Sequence, residues 1–210
     1  MEADGAEQMK QKLLHKLNKR QGFSLTEMLA TVLIMGFVGI IITTGAATVQ
    51  RVYRKVVAHA NAQTALTTTI TLMKDQLAFA DPESIGNASV TGAGFENSQT
   101  IVFKNLNSGE QTITLNPGTA ATDPGTTNRG FTLTYTAGDG TGTSSTTLPL
   151  LSDSAITSDL CVCFDTDADS GFSWDPATKV ITVTNLVAKD TRTDTVQACA
   201  SFKVLLVNDK

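Results

Sequence analysis

Between Met28 and Val49 the chain runs 22 residues without a charged side chain. Wound as a helix at about 1.5 Å per residue, that run reaches roughly 33 Å, enough to cross a hydrocarbon core about 30 Å thick. A segment apolar on every side must be surrounded by lipid or by other apolar surfaces, so it dictates the surroundings of everything attached to it. A single carboxylate, Glu27, stands at its edge. Five bases precede it (Lys10, Lys12, Lys16, Lys19, Arg20) against three acids. Bases flanking a first span tend to stay cytoplasmic, which places the rest of the chain outside; Arg51, Arg54 and Lys55 beyond the span weaken that asymmetry without reversing it.

The junction reads Arg20-Gln21-Gly22-Phe23-Ser24-Leu25-Thr26-Glu27. A basic leader ending in Gly, then Phe, then Glu as the fifth residue after the Gly, then a membrane-length run, resembles the signature of type IV prepilins. The resemblance covers residues 19–49. It implies cleavage by prepilin peptidase between Gly22 and Phe23, N-methylation of Phe23, and a role for Glu27 in aligning neighbouring subunits during assembly. It also implies other pilin subunits as partners through the N-terminal helix. The mature chain would run from Phe23 to Lys210, 188 residues. Many filament-forming members carry a proline midway along the apolar segment; this chain has only Gly36, Gly39 and Gly45 there. The length of the distal part looks more like that of a minor pilin, or of a minor pseudopilin of a type II secretion system, than of a compact major subunit.

Two other readings compete. A secretory signal peptide would join a basic front, an apolar stretch and a small-residue site at Gly45-Ala46-Ala47. Glu27 intrudes where such a peptide is positive or apolar, and the run exceeds the usual apolar region. The other is a single-span surface protein whose distal domain binds a ligand. The start itself has two versions: residues 1–8 are acidic, whereas a start at Met9 gives a leader charged only by its bases.

Beyond Val49 a helical period persists. Val49, Tyr53, Val56, Ala60, Gln63, Leu66, Ile70, Met73 and Leu77 recur at steps of three and four, one face of an amphipathic helix. No Pro or Gly interrupts residues 46–80, and Asp81-Pro82 supplies a stop. The helix from Phe23 to Ala80 would span roughly 85 Å. The Thr-rich stretch Thr64–Thr71 carries a mild propensity penalty that packing must offset.

From Ser84 the period becomes two. Gln99–Leu106 and Gln111–Leu115 flank Asn107-Ser108-Gly109, a hairpin signature. Phe131, Leu133 and Tyr135 alternate with threonines, and Val180–Thr184 follows. In Val196–Val207, the residues Val196, Ala198, Ala200, Phe202, Val204 and Leu206 fall on one face. One apolar face per strand means an antiparallel sheet laid on another surface, and the amphipathic helix half is the surface available. Pro117–Gly130 and Ala137–Thr147 read as two long solvated loops. The expected fold is α+β and pilin-like: one long N-terminal helix on an antiparallel β-sheet head. Its parts are a leader (1–22), a membrane or filament-core half (23–50), an amphipathic half (51–80) and an extracytoplasmic head (81–210).

Chemistry is sparse. The two histidines, His15 and His59, precede the sheet, so neither a Ser-His-Asp nor a Cys-His arrangement can form within it, nor a zinc site of the usual His type. The reading is therefore structural rather than enzymatic. Residues 81–210 hold 15 acids against seven bases, an unsuitable balance for binding a phosphate backbone; no nucleic acid is expected as a direct partner. Cys161 and Cys163 share one strand face, opposite Leu160, Val162 and Phe164, and Cys199 lies on the non-core face of its own strand. If the strands are neighbours, Cys199 bridges to Cys161 or Cys163, within a Cα separation of roughly 4.4–6.8 Å; otherwise all three are reduced. Asp165, Asp167 and Asp169 place carboxylates at alternate positions, as a calcium loop does. Some pilin-like secretion proteins bind calcium in a distal loop. Yet Gly171 is one place late for an EF-hand and Pro176 stands at the twelfth position. The alternative is an acidic turn.

Overall fold

The computed structural model describes residues 24–87, 89–105, 111–118, 129–138, 143–152, 156, 159–166 and 169–207. They fall into two compact units, one ending at Tyr53 and one starting at Arg54. A single helix, α1 (Leu25–Ala78), contributes to both.

In the first unit α1 follows Ser24, whose carbonyl accepts from the amides of Glu27 (2.9 Å) and Met28 (3.1 Å). Glu27 thus occupies the first turn, where the helix dipole favours a carboxylate. The four polar side chains of the run, Thr31, Thr43, Thr44 and Thr48, each donate a hydroxyl to a carbonyl three or four residues back, at 2.7–3.1 Å. Gly36, Gly39 and Gly45 have nothing within 4 Å of where a Cβ would stand.

In the second unit α1 buries Ala62, Ala65, Leu66, Thr69, Met73 and Leu77, with Ile70 packed at the margin. The expected stripe is therefore corrected upstream: Val49, Tyr53, Val56, Ala60 and Gln63 are exposed, and burial begins at Ala62. Thr69 can be buried because its hydroxyl donates to the Ala65 carbonyl at 2.8 Å. Thr64, Thr67, Thr68 and Thr71 do the same at the surface.

Two antiparallel sheets complete this unit, where a single sheet was expected. The first runs in chain order: β2 (Ile101–Lys104), β3 (Thr112–Asn116), β4 (Thr132–Gly138) and β5 (Thr143–Pro149). The expected hairpin is present, with Ile101 opposite Leu115 and Phe103 opposite Ile113; its turn at Asn107-Ser108-Gly109 lies outside the described residues. The reading of Ala137–Thr147 as a loop is corrected, since β5 pairs β4 from Gly138↔Thr143 to Thr132↔Pro149. Its residues show no apolar alternation because β5 is exposed from Ser144 to Pro149.

The second sheet is ordered β1 (Phe95–Ser98), β7 (Gly171–Asp175), β8 (Val180–Asp190), β6 (Leu160–Phe164), with β9 (Thr195–Leu205) on the other side of β8. β8 is the organiser: its first half pairs β7 and its second half β6. The changeover is at Asn185, which has φ 53°, a conformation Asn tolerates better than most residues. Its amide donates to the Ser201 hydroxyl and its carbonyl accepts from the Asp165 amide, both at 3.0 Å. This bulge lets Val183 and Leu186, three apart, both face the core opposite Phe202 and Ala200. A second irregularity, between Ala188 and Lys189, places Val196 opposite Lys189. Val196 is accordingly exposed, a correction to the expected face; Val204 and Leu206 are buried as expected.

The sheets meet at three edge-on phenylalanines. Phe131, at the entry to β4, lies 5.3 Å from Phe164 of β6 and 6.3 Å from Phe172 of β7, and Phe164 lies 5.0 Å from Phe172, centroid to centroid. Gly171 sits beside them with φ 140°, and a Cβ there would come within 2.6 Å of the Ser98 carbonyl. In urea denaturation of a fragment starting at Arg54, Phe172→Ala is expected to cost about 3–5 kcal/mol. Val196→Ala is expected to stay within about 0.5 kcal/mol; equal costs would contradict the β9 register.

Candidate functional site

Two places in the chain bring potentially functional side chains together. The first is the N-terminal part of α1. Its most apolar 18 residues have a mean hydropathy of 2.2 and none is buried. Among the described residues α1 is the helix long and apolar enough, by length and composition, to cross a membrane. Glu27 is exposed at its start; Gly22 and Phe23 lie outside the described residues. The threonine back-bonding was the signal the sequence reading lacked. Thr at these positions leaves no side-chain hydroxyl for water to satisfy, so the segment tolerates an apolar surrounding.

The second place is the outward face of the β6–β8–β9 ribbon. The pleat turns Cys161 and Cys163 to this face, across from Lys189 and Val187. Both thiols are buried, whereas Cys199 is exposed; all three are free. The possible bridge from Cys199 to Cys161 or Cys163 is corrected here. Val187 pairs with Cys163 on one side and Cys199 on the other, so β8 stands between them. Two strand spacings are about 9.6 Å, beyond disulfide reach.

Cys161 and Cys163 share one small buried cluster with Val187. The neighbouring Cys163 side chain, followed by burial, pushes the Cys161 thiol up. The Cys161 side chain pulls Cys163 down against the effect of burial, and the Lys189 charge acts in the same direction. Lys189, whose side chain is 9% exposed, reaches Asp165 at 3.2 Å and Asp194 at 3.9 Å. Burial works to lower its pKa, but the bond to Asp165 and the neighbouring carboxylates raise it. Asp165 is held below the usual carboxylate range by the Thr166 amide first and Lys189 second.

Of the calcium candidates, Asp165 therefore faces Lys189, Asp167 lies outside the described residues, and Asp169 adds no ligand set. Among the described residues no group of three or more His, Cys, Asp or Glu side chains is placed to hold a metal. Gly171 answers to the Ser98 carbonyl rather than to a metal loop. His59 sits on α1, bonded to Gln63 at 3.0 Å. No family model matches this chain, and neither a curated protein nor a solved structure matches it.

The Asp165–Lys189 pair sets a pH dependence. A depressed Asp165 contributes stability above its unfolded value near 3.8 that is lost as pH falls through the lower folded value. A raised Lys189 contributes below its unfolded value near 10.5 and is lost only above that. Asp165→Asn is expected to cost about 1.5–3 kcal/mol, by a constant amount from about pH 5 to 9, narrowing below about pH 4. Urea titrations across that range check it, and a penalty unchanged at pH 3 would show that the ion pair does not stabilise the head.

Proposed function

We propose that this chain is a subunit of a type IV pilus or pilus-like filament, a minor pilin or a minor pseudopilin of a type II secretion system. It is made with a basic leader, residues 1–22, that prepilin peptidase removes between Gly22 and Phe23, and Phe23 is then N-methylated. The helix holds the subunit in the membrane, with the leader cytoplasmic and the head outside, until it packs against the helices of other subunits. The observation that carries the reading is an N-terminal helix half with no covered side chain and no unsatisfied hydroxyl, preceded by the Gly22-Phe23…Glu27 signature. The empty space around Gly36, Gly39 and Gly45 supports it, because small residues let neighbouring helices approach closely.

Glu27 has a specific part in this. A carboxylate at the edge of an apolar core is costly unless it reaches water or a partner. Cleavage after Gly22 frees the Phe23 amine, whose reference pKa of about 7.7–8.0 leaves it largely cationic at neutral pH. Pairing Glu27 with the Phe23 amine of a neighbouring subunit fixes the axial stagger of the two helices, the kind of registry a buried ion pair supplies better than stability.

Mass spectrometry of the protein from cells with and without prepilin peptidase tests the processing. A methylated Phe23 start that disappears without the peptidase is expected; a start near Ala47 or Thr48 would mark a secretory signal peptide instead. Glu27→Gln is expected to leave trimming intact but to reduce incorporation into sheared filaments at least about tenfold, a difference of roughly 1.4 kcal/mol or more in register selection. Normal incorporation, read by immunoblot, would show that apolar packing alone sets the stagger.

A further inference from the structure

The outer face of the five-stranded sheet carries a row of side chains that neither the core nor the filament reading employs. Ser173 of β7 is level with Thr182 of β8, and Thr182 with Lys203 of β9. On β1, Phe95 pairs with Trp174 and Ser98 with Phe172, so Glu96 and Asn97 share the place opposite Ser173. The pleat turns Phe95, Trp174, Ile181 and Val204 into the core, and Glu96, Ser173, Thr182 and Lys203 outward. Together they line a groove of about 420 Å³, within the range of about 300–1,000 Å³ usual for small-molecule sites. Its floor holds two short hydroxyl side chains. Its ends are a carboxylate and an ammonium, both exposed.

These groups are uncommitted. Among the described residues neither Glu96 nor Lys203 forms an ion pair. The Ser173 hydroxyl accepts from the Asn97 amide at 3.1 Å, which leaves its hydrogen free to donate. Asp175, the other carboxylate at the groove, is occupied. It accepts from the Thr178 hydroxyl at 2.7 Å and the Ala177 amide at 3.0 Å, and these hold it below the usual carboxylate range. Glu96 and Lys203 stand three strand spacings apart, about 14 Å between Cα atoms. A ligand that meets both carries an ammonium at one end and a carboxylate at the other. The charges of a single α-amino acid sit on one carbon and do not span the floor. An extended peptide of two residues puts its ends about 7 Å apart, and the two long side chains close the rest by leaning inward. Val180 lines the groove beside this row, level with the exposed Leu205 of β9. That is a resting place for an apolar side chain at the carboxylate end.

We propose that this groove binds a dipeptide with both termini free and an apolar C-terminal residue. Its ammonium meets Glu96 and its carboxylate meets Lys203. Its amide faces the hydroxyls of Ser173 and Thr182, and its C-terminal side chain lies on Val180. Hydrogen bonds between charged partners are the stronger kind, and here each one reads one terminus of the ligand. The site is confined to the head and does not depend on the filament reading.

The test uses the full chain in non-ionic detergent micelles, titrated with alanyl-leucine in a calorimeter. Emission of Trp174, the single tryptophan of the chain, gives a second readout because this residue backs the groove. Saturable binding of one equivalent is expected. Acetylating the amine of the peptide, or amidating its carboxylate, is expected to weaken binding about tenfold or more, the scale of a lost hydrogen bond to a charged group. Glu96→Gln is expected to weaken alanyl-leucine about tenfold but to leave the affinity for the acetylated peptide unchanged. Lys203→Met is expected to behave in the same way toward the amidated peptide. Lys104→Met, an exposed lysine of the other sheet, is expected to bind as the unaltered chain does. Absence of saturable binding to the unaltered chain, equal affinity for free and capped peptides, or full affinity in Glu96→Gln or Lys203→Met would each overturn the site.

Discussion

Three phenylalanine rings make one core out of two sheets. Phe131 enters from the four-stranded sheet, Phe164 and Phe172 from the five-stranded one, and each ring presents an edge to another's face. That arrangement adds to area burial because ring edges and faces carry opposite partial charge. The placement of β6 and β7 depends on it. Both strands lie on the same side of β8 and are joined through Asp165–Ser170, so their phenylalanines reach the same spot only if β8 bulges at Asn185. The bulge, the left-handed Asn and the open backbone at Gly171 all serve that convergence. Met73 and Leu77 of α1 close the same core and are fully buried.

The helix was the most legible element. Its apolar run, its stripe from Leu66 to Leu77 and its stop at Asp81-Pro82 are all local signals, and a helix is held by local bonds. The β2–β3 hairpin and the inward faces of β4 and β9 were legible for a similar reason, since alternation is read strand by strand. What failed was the information carried between strands. β5 is a strand by pairing, not by pattern; its exposed threonines and serines look like a loop. Val196 follows the alternation of β9 and is still outside, because one extra residue opposite Lys189 turns it over. Cys199 shares a face with Cys163, as its position predicts, yet an intervening strand separates them. Faces follow from the period of two, but neighbours follow from topology, and no single strand encodes that.

The charged side chains of the head also read differently once paired. Asp165 looked like the first ligand of a metal loop, and its oxygens instead accept from Thr166 and Lys189. Arg192 reaches Asp159 at 3.1 Å and Asp190 at 3.9 Å, so the turn after β8 is tied to the start of β6. An acidic stretch thus serves as a clamp on the strand ends. Glu27 is the contrasting case: the dipole of its own helix accounts for a carboxylate in the first turn.

The threonines of the apolar run have a consequence for any change of surroundings. A helix whose hydroxyls are all bonded to its own carbonyls brings no hydroxyl bond that must be broken when acyl chains are exchanged for protein. Moving it between those two media is a comparison of packing alone, of lipid tails against side chains of similar polarity. A segment of this composition carries no unmet side-chain hydroxyl into either medium.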